Sequence, residues 1–230
     1  MESNKLKSIR EISKKIEADS LEFLKNKYVK VSEYNNGIYY DPNYISPVSK
    51  SAHNLDSKIL LILQDWASVD SLNKQEHTPE KINSGIDLTL KTNKNLSIWL
   101  EEFFGITFNQ TYAINLFPYI KFGNMSAYIP FNDYLYSIKN FTEPFIESFQ
   151  PKLTIVIGVN IFNVLRRFTG LPPVKSKEAY LYPFEFSNRT IIGVPHTGHW
   201  GTVGGGGEIE VKKMWKTLSD NYRQLIQCNF

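Results

Sequence analysis

Four short apolar runs each give way to residues capable of polar chemistry. "KILLIL" (58–63) stops on Gln64-Asp65-Trp66, and "TYAINLF" (111–117) carries Asn115 near its end. "LTIVIGV" (153–159) closes on Gly158 and Asn160, and "TIIGVP" (190–195) leads into His196-Thr197-Gly198-His199-Trp200. A carboxylate can orient and activate water, and an imidazole can stabilise a developing anion. A carboxamide offers one acceptor and two donors for reading an amide edge. Together these are parts for a hydrolysis in which the ligand is recognised by its hydrogen-bonding edge.

The elements that must position these residues follow from the pattern. None of the four runs alternates polar with apolar, so each is expected to bury both faces, as in a parallel sheet covered by helices. Helical spacing fills the gaps at "NLSIWLEEFFG" (95–105), "YLYSIKNFTEPFIESFQ" (134–150) and "NIFNVLRRFTG" (160–170). A last helix is read at 208–227, and Gly105 and Gly170 stand where helix stops are expected. The order implies an α/β fold with right-handed crossovers: a three-layer α/β/α sandwich around a central, mainly parallel four-stranded sheet. In such a sheet ligands bind at the carboxyl ends of strands, where Asp65, Asn115 and His196 are expected to lie. Residues 5–29 place Ile9, Ile12, Ile16, Leu21 and Leu24 at helical spacing, predicting one or two amphipathic helices. "NNGIYYDPNYISPVSKSAHN" (35–54) reads as a long surface loop. The organisation expected is one domain, with 1–54 as a helical extension and loop and 55–230 as the α/β core.

Composition narrows the function classes. The 230-residue chain is 42% hydrophobic and 21% charged, as an ordinary globular protein is. No apolar run approaches the roughly 20 residues that span a bilayer, and "MESNKLKSIREISKK" lacks a signal peptide's apolar stretch, so a cytoplasmic location without membrane association is expected. The single cysteine, Cys228, argues against an internal disulfide or a Cys-ligated metal. His196 and His199 form H-x-x-H, but in a glycine-rich stretch without the Glu of a zinc helix, so no metal is expected. "VGGGGE" lacks the Gly-Lys-Ser/Thr of a phosphate-binding loop, though the backbone N–H groups of residues 201–208 could hold a phosphate. The formal charge of +3 permits a polyanionic partner without demanding one. Lys121, Lys139, Arg166 and Arg167 are candidates for phosphate contacts, each equally readable as part of a solvated face.

Five blocks, in order, resemble the uracil-DNA glycosylase superfamily, most closely its classical branch. "LQDWAS" after "KILLI" is similar to that family's water-activating "GQDPYH", and "GIDL" (85–88) to its "GLSF". "NLSIWLEEFFG" resembles its N-x-x-x-x-L-E-x-x-F-G helix, "YAINL" its strand with the base-reading Asn, and "HTGHWG" its "HPSPLS". The resemblance covers roughly residues 55–220.

It implies cleavage of a base from deoxyribose after the nucleotide is swung out of the stack. Asp65 would orient water beneath the sugar and His196 would stabilise the departing base. Asn115 would read its edge, and Gln64 would lend a backbone N–H. No cofactor is implied, and the partner would be DNA, met by a monomer. Where the family has Pro-Tyr the chain has Trp66-Ala67, which would open the pocket to a larger or modified base. Leu88 replaces a stacking Phe, Gly198-His199 replaces a backbone-gripping Ser-Pro, and Trp200 occupies the position of a Leu wedge. Two rival functions fit the same residues: a non-catalytic binder of DNA or a modified nucleotide, and a hydrolase of a free nucleoside or nucleotide.

Overall fold

The computed structural model describes residues 4–20, 22 and 27–227. Leu21, Leu24 and Cys228, which entered the sequence expectations, lie outside the described residues. The first half of the chain runs α1 (Asn4–Ala18), β1 (Tyr28–Val29), β2 (Ile59–Asp65), α2 (Val69–Leu72), α3 (Pro79–Ser84), α4 (Lys91–Trp99) and β3 (Tyr112–Phe117). It continues through β4 (Ile120–Lys121), α5 (Phe131–Ser137), α6 (Glu143–Phe149), β5 (Leu153–Ile157) and α7 (Val159–Phe168). β6 (Phe184–Phe186), β7 (Arg189–Val194), α8 (His199–Gly204) and α9 (Glu208–Gln227) complete it. No described helix is long and apolar enough to cross a membrane.

The fold is α/β, with a mostly parallel sheet in the order β3-β2-β5-β7-β6. β2 pairs in parallel with β5, and β5 with β7; Leu153 sits between Ile59 and Thr190 in register. The sheet has five strands rather than the four expected. The extra one, β6, runs antiparallel to β7 as the outer arm of a hairpin whose turn, Ser187-Asn188, has both residues at positive φ. That is the backbone of a primed two-residue turn, whose twist matches the strands it joins. A second, two-stranded sheet pairs β1 with β4, so residues 28–29 are strand rather than the end of a helix.

The contacts divide the chain into two compact units, each built from three segments. One contains residues 52–63, 87–113 and 150–230. Its strands are buried because Ile, Leu and Val fill both faces, and α9 lays Val211, Met214, Trp215 and Leu218 onto the core. The Trp215 ring meets Trp99 at 5.8 Å and Phe104 at 6.3 Å, joining α9 to α4 and the turn after it.

The other unit contains residues 1–51, 64–86 and 114–149. α1 buries Ile9, Ile12 and Ile16, and Lys5 lies over the ring of Phe149 in α6. The segment expected as a surface loop is instead packed: Tyr39, Ile45 and Val48 are buried, because its Asn, Pro and Ser residues are interleaved with apolar side chains that need covering. Two buried phenols and the half-buried Tyr136 tie this unit together. Tyr119 and Tyr136 both donate to Asp19 Oδ2, at 2.7 and 2.6 Å, and Tyr28 donates to Asp133 at 2.7 Å.

Burial, followed by bonding to a carboxylate, raises all three phenols above their ordinary value of 10, Tyr136 to about 12. A group raised on folding contributes stability that is complete below its unfolded value and is lost as pH rises through the folded one. Denaturant midpoints should therefore hold between about pH 7 and 9 and fall above about pH 10. Replacing Tyr28, Tyr119 and Tyr136 together by Phe should flatten that alkaline fall, as followed by circular dichroism.

Candidate functional site

β2 is an apolar strand that ends in charge, and the unit receiving that end neutralises it. Asp65 Oδ2 accepts a hydrogen bond from Lys121 Nζ at 2.6 Å, with the side chains only 5% and 2% exposed. The ammonium uses a second donor on the Met125 carbonyl, also at 2.6 Å. Gln64 Nε2 adds a long contact to Asp65 Oδ2 at 3.4 Å. Burial, and next the Asp65 charge, raise the Tyr134 phenol of α5 well above its ordinary value. Breaking such a pair by removing one partner typically costs roughly 3–5 kcal/mol, because the other charge is left uncompensated.

Asn115 stands in β3, whose six side chains are all buried. It is 3% exposed, and its Oδ1 accepts no hydrogen bond. A buried acceptor left unpaired costs roughly 1–3 kcal/mol, so this oxygen is suited to a donor that the chain itself does not supply. Trp66, directly after Asp65, has its own partners. Its indole N–H donates to the Gly85 carbonyl at 2.9 Å, and its ring meets Tyr39 edge-on at 4.7 Å. Only glycine fits at 85: φ is +66°, and a Cβ would lie 1.7 Å from the Pro47 carbonyl oxygen.

In the other unit β7 ends at Val194 and delivers His196 on a tightly fastened turn. The Gly198 N–H donates to His196 Nδ1 at 3.1 Å. With Nδ1 accepting, the neutral ring carries its proton on Nε2. The buried Thr197 is held from both sides: its hydroxyl donates to the Thr92 carbonyl at 2.8 Å, and its carbonyl accepts from Asn95 Nδ2 at 2.7 Å. Gly198 and Gly201 leave no room for a side chain; a Cβ at 201 would lie 2.0 Å from the His196 carbonyl oxygen. His199 and Trp200 open α8, and the Trp200 indole is 83% exposed, against 1% and 0% for the core residues Trp99 and Trp215. Leu88 is exposed as well.

The structure thus brings Gln64, Asp65, Trp66 and Asn115 into one unit, and Leu88, His196, Gly198, His199 and Trp200 into the other. Lys121 was legible in the sequence only as a candidate phosphate contact. It is instead the buried counter-ion of Asp65, and the available signal was a lysine set between Ile120 and Phe122 just after an apolar strand. Arg166 is likewise buried, donating to the carbonyls of Pro172 and Tyr182, and not displayed to solvent. The glycine run is not an open phosphate cradle either. The N–H groups of Gly205, Gly206 and Gly207 donate to Gly201, Val203 and Thr202 of α8. Among the described residues, no three His, Cys, Asp or Glu side chains gather as metal ligands. Neither a scan of protein-family models nor a search of curated proteins returned a match to this chain.

Gly201→Ala should displace the His196 turn at a cost of roughly 1–3 kcal/mol. Denaturant unfolding would give the loss, and the ring-nitrogen NMR shifts of His196 should report a weakened bond from Gly198.

Proposed function

We propose that the chain is a glycosylase-like hydrolase that removes uracil or a related base from DNA, on a fold of the uracil-DNA glycosylase kind. The single observation that carries this proposal is the unpaired acceptor of buried Asn115 in the same unit as a fixed carboxylate. A pyrimidine's imino N–H is the type of donor that oxygen lacks, and the amide's own N–H groups suit a neighbouring carbonyl. The mostly parallel sheet, with Asp65 ending one strand and His196 following another, supports the fold assignment.

The chemistry asked of these residues is modest. Water adds its oxygen to the sugar's anomeric carbon as the bond to the base nitrogen breaks. The electron pair leaves with the base, which finally takes up a proton. Asp65 orients the water and offsets positive charge on the sugar; His196, by the resemblance, donates from Nε2 to the negative base oxygen. The exposed Trp200 indole is suited to fill the gap left in the stack by the departed nucleotide. Trp66, occupied with Gly85 and Tyr39, is fixed beside Asp65 where the family has a residue that screens the base's 5-position.

One observation favours a second function. Trp66 is bonded to the Gly85 carbonyl and Leu88 is exposed, where the family has pocket residues, as would suit a binder of DNA or a modified nucleotide that has given up turnover. Base release from single-stranded oligonucleotides carrying uracil, hypoxanthine or 5-hydroxymethyluracil separates the two. Alkali-labile abasic product is expected, falling by about 10²–10⁴ in Asp65→Asn and about 10²–10³ in His196→Ala. Tight binding without product from any base would favour the binder, and full activity in Asp65→Asn would sink the mechanism.

Trp200→Ala should weaken binding to a uracil-containing duplex by about tenfold, and to the single strand by much less, because a wedge acts only where a stack must be refilled. Affinity should also fall steeply with added salt; a flat response would point to a free nucleoside or nucleotide as substrate.

A further inference from the structure

Lys121 is a buried ammonium for which base hydrolysis as outlined has no direct use, yet the fold invests heavily in placing it. Its backbone is fixed from two sides, paired with Tyr28 of β1 and bridged in parallel to Ser68, three residues beyond Asp65. Two residues further on, the Asp70 N–H donates to the Gly123 carbonyl at 3.2 Å. The side chain then closes the arrangement. One donor lies 2.6 Å from the carboxylate and another 2.6 Å from the Met125 carbonyl. Residues 65–70 and 121–125 are therefore stitched together through both backbone and charge.

Stability alone is a poor reason for this device, since buried ion pairs are commonly matched or bettered by apolar residues of similar volume. A carboxylate that must hold water in one attitude has a different need. It must keep its charge away from bulk solvent and must not rotate, and a short bond from a rigidly held ammonium meets both requirements.

We infer that Lys121 is a positioning residue for Asp65, fixing the carboxylate's charge and orientation and tying both to the 122–125 turn through the Met125 carbonyl. This inference rests on the hydrolase function proposed above. Lys121 itself touches neither base nor sugar; it acts through Asp65 alone.

The test is a double-mutant cycle on base release from the uracil oligonucleotide. Lys121→Gln retains amide donors for Asp65 and Met125 but loses the charge. It should lower kcat by about 10- to 100-fold while KM stays within about threefold. Introduced into Asp65→Asn, the same change should alter residual kcat by less than about twofold, because the group through which Lys121 acts is gone. Equal losses in both backgrounds would show a merely structural role and overturn the inference, as would wild-type kcat in Lys121→Gln. Should that variant not fold, Lys121→Arg decides. It keeps the charge, so its kcat should stay within about tenfold of wild type; a loss as large as that of Asp65→Asn overturns the assignment. Wild-type activity with no effect at position 121 removes this role alone. Absence of product from the wild-type protein removes the hydrolase function, and this role with it.

Discussion

A carboxylate withdrawn from water must find a partner of opposite charge or give up its proton, and much of one unit is arranged around that requirement at Asp65. The apolar residues of β2 carry the chain into the core, so the first charged side chain after them arrives where solvent is scarce. Lys121 meets it from a strand of only two residues, which exists because β1 pairs with it. The ammonium then reaches the Met125 carbonyl, and Tyr134 faces the same charge from α5. Strand end, short sheet, turn and helix are thereby committed to one geometry around a single anion.

The histidine turn of the other unit is built on the opposite principle. Here close approach of the backbone does much of the fixing. Glycines at 198 and 201 let the backbone fold against His196 and Thr92, and Thr197 is bonded through both its hydroxyl and its carbonyl. The Gly198 N–H bonded to Nδ1 favours the ring tautomer with its proton on Nε2. Immediately beyond this rigid turn Trp200 stands almost wholly in solvent.

How much of this could be read from the chain depends on the range over which each signal acts. β2, β3, β5 and β7 were legible because aliphatic runs without alternation have few other uses, and the helices between them because apolar spacing near 3.6 is conspicuous. β6 carries almost no such signal: Phe184-Glu185-Phe186 alternates over only three residues, and its partner is fixed by the Ser187-Asn188 turn. In the 35–54 stretch Asn, Pro and Ser mark irregular backbone but say nothing about burial, which Tyr39, Ile45 and Val48 decide. Asp65, Asn115 and His196 could be picked out by type and place. The state of each could not: Lys121 lies 56 residues from Asp65, and an orphaned oxygen is a property of surroundings rather than of an asparagine.

The way the two units share the chain has a consequence for any attempt to take the protein apart. The boundaries at 63/64 and 113/114 fall inside β2 and β3, not in linkers. Each of these strands begins in one unit and ends in the other, and neither unit is a continuous stretch of sequence. No single cut liberates either, and a gene fragment encoding one would have to omit pieces of the other from its middle. Asp65 and Asn115 both lie just past such a crossing.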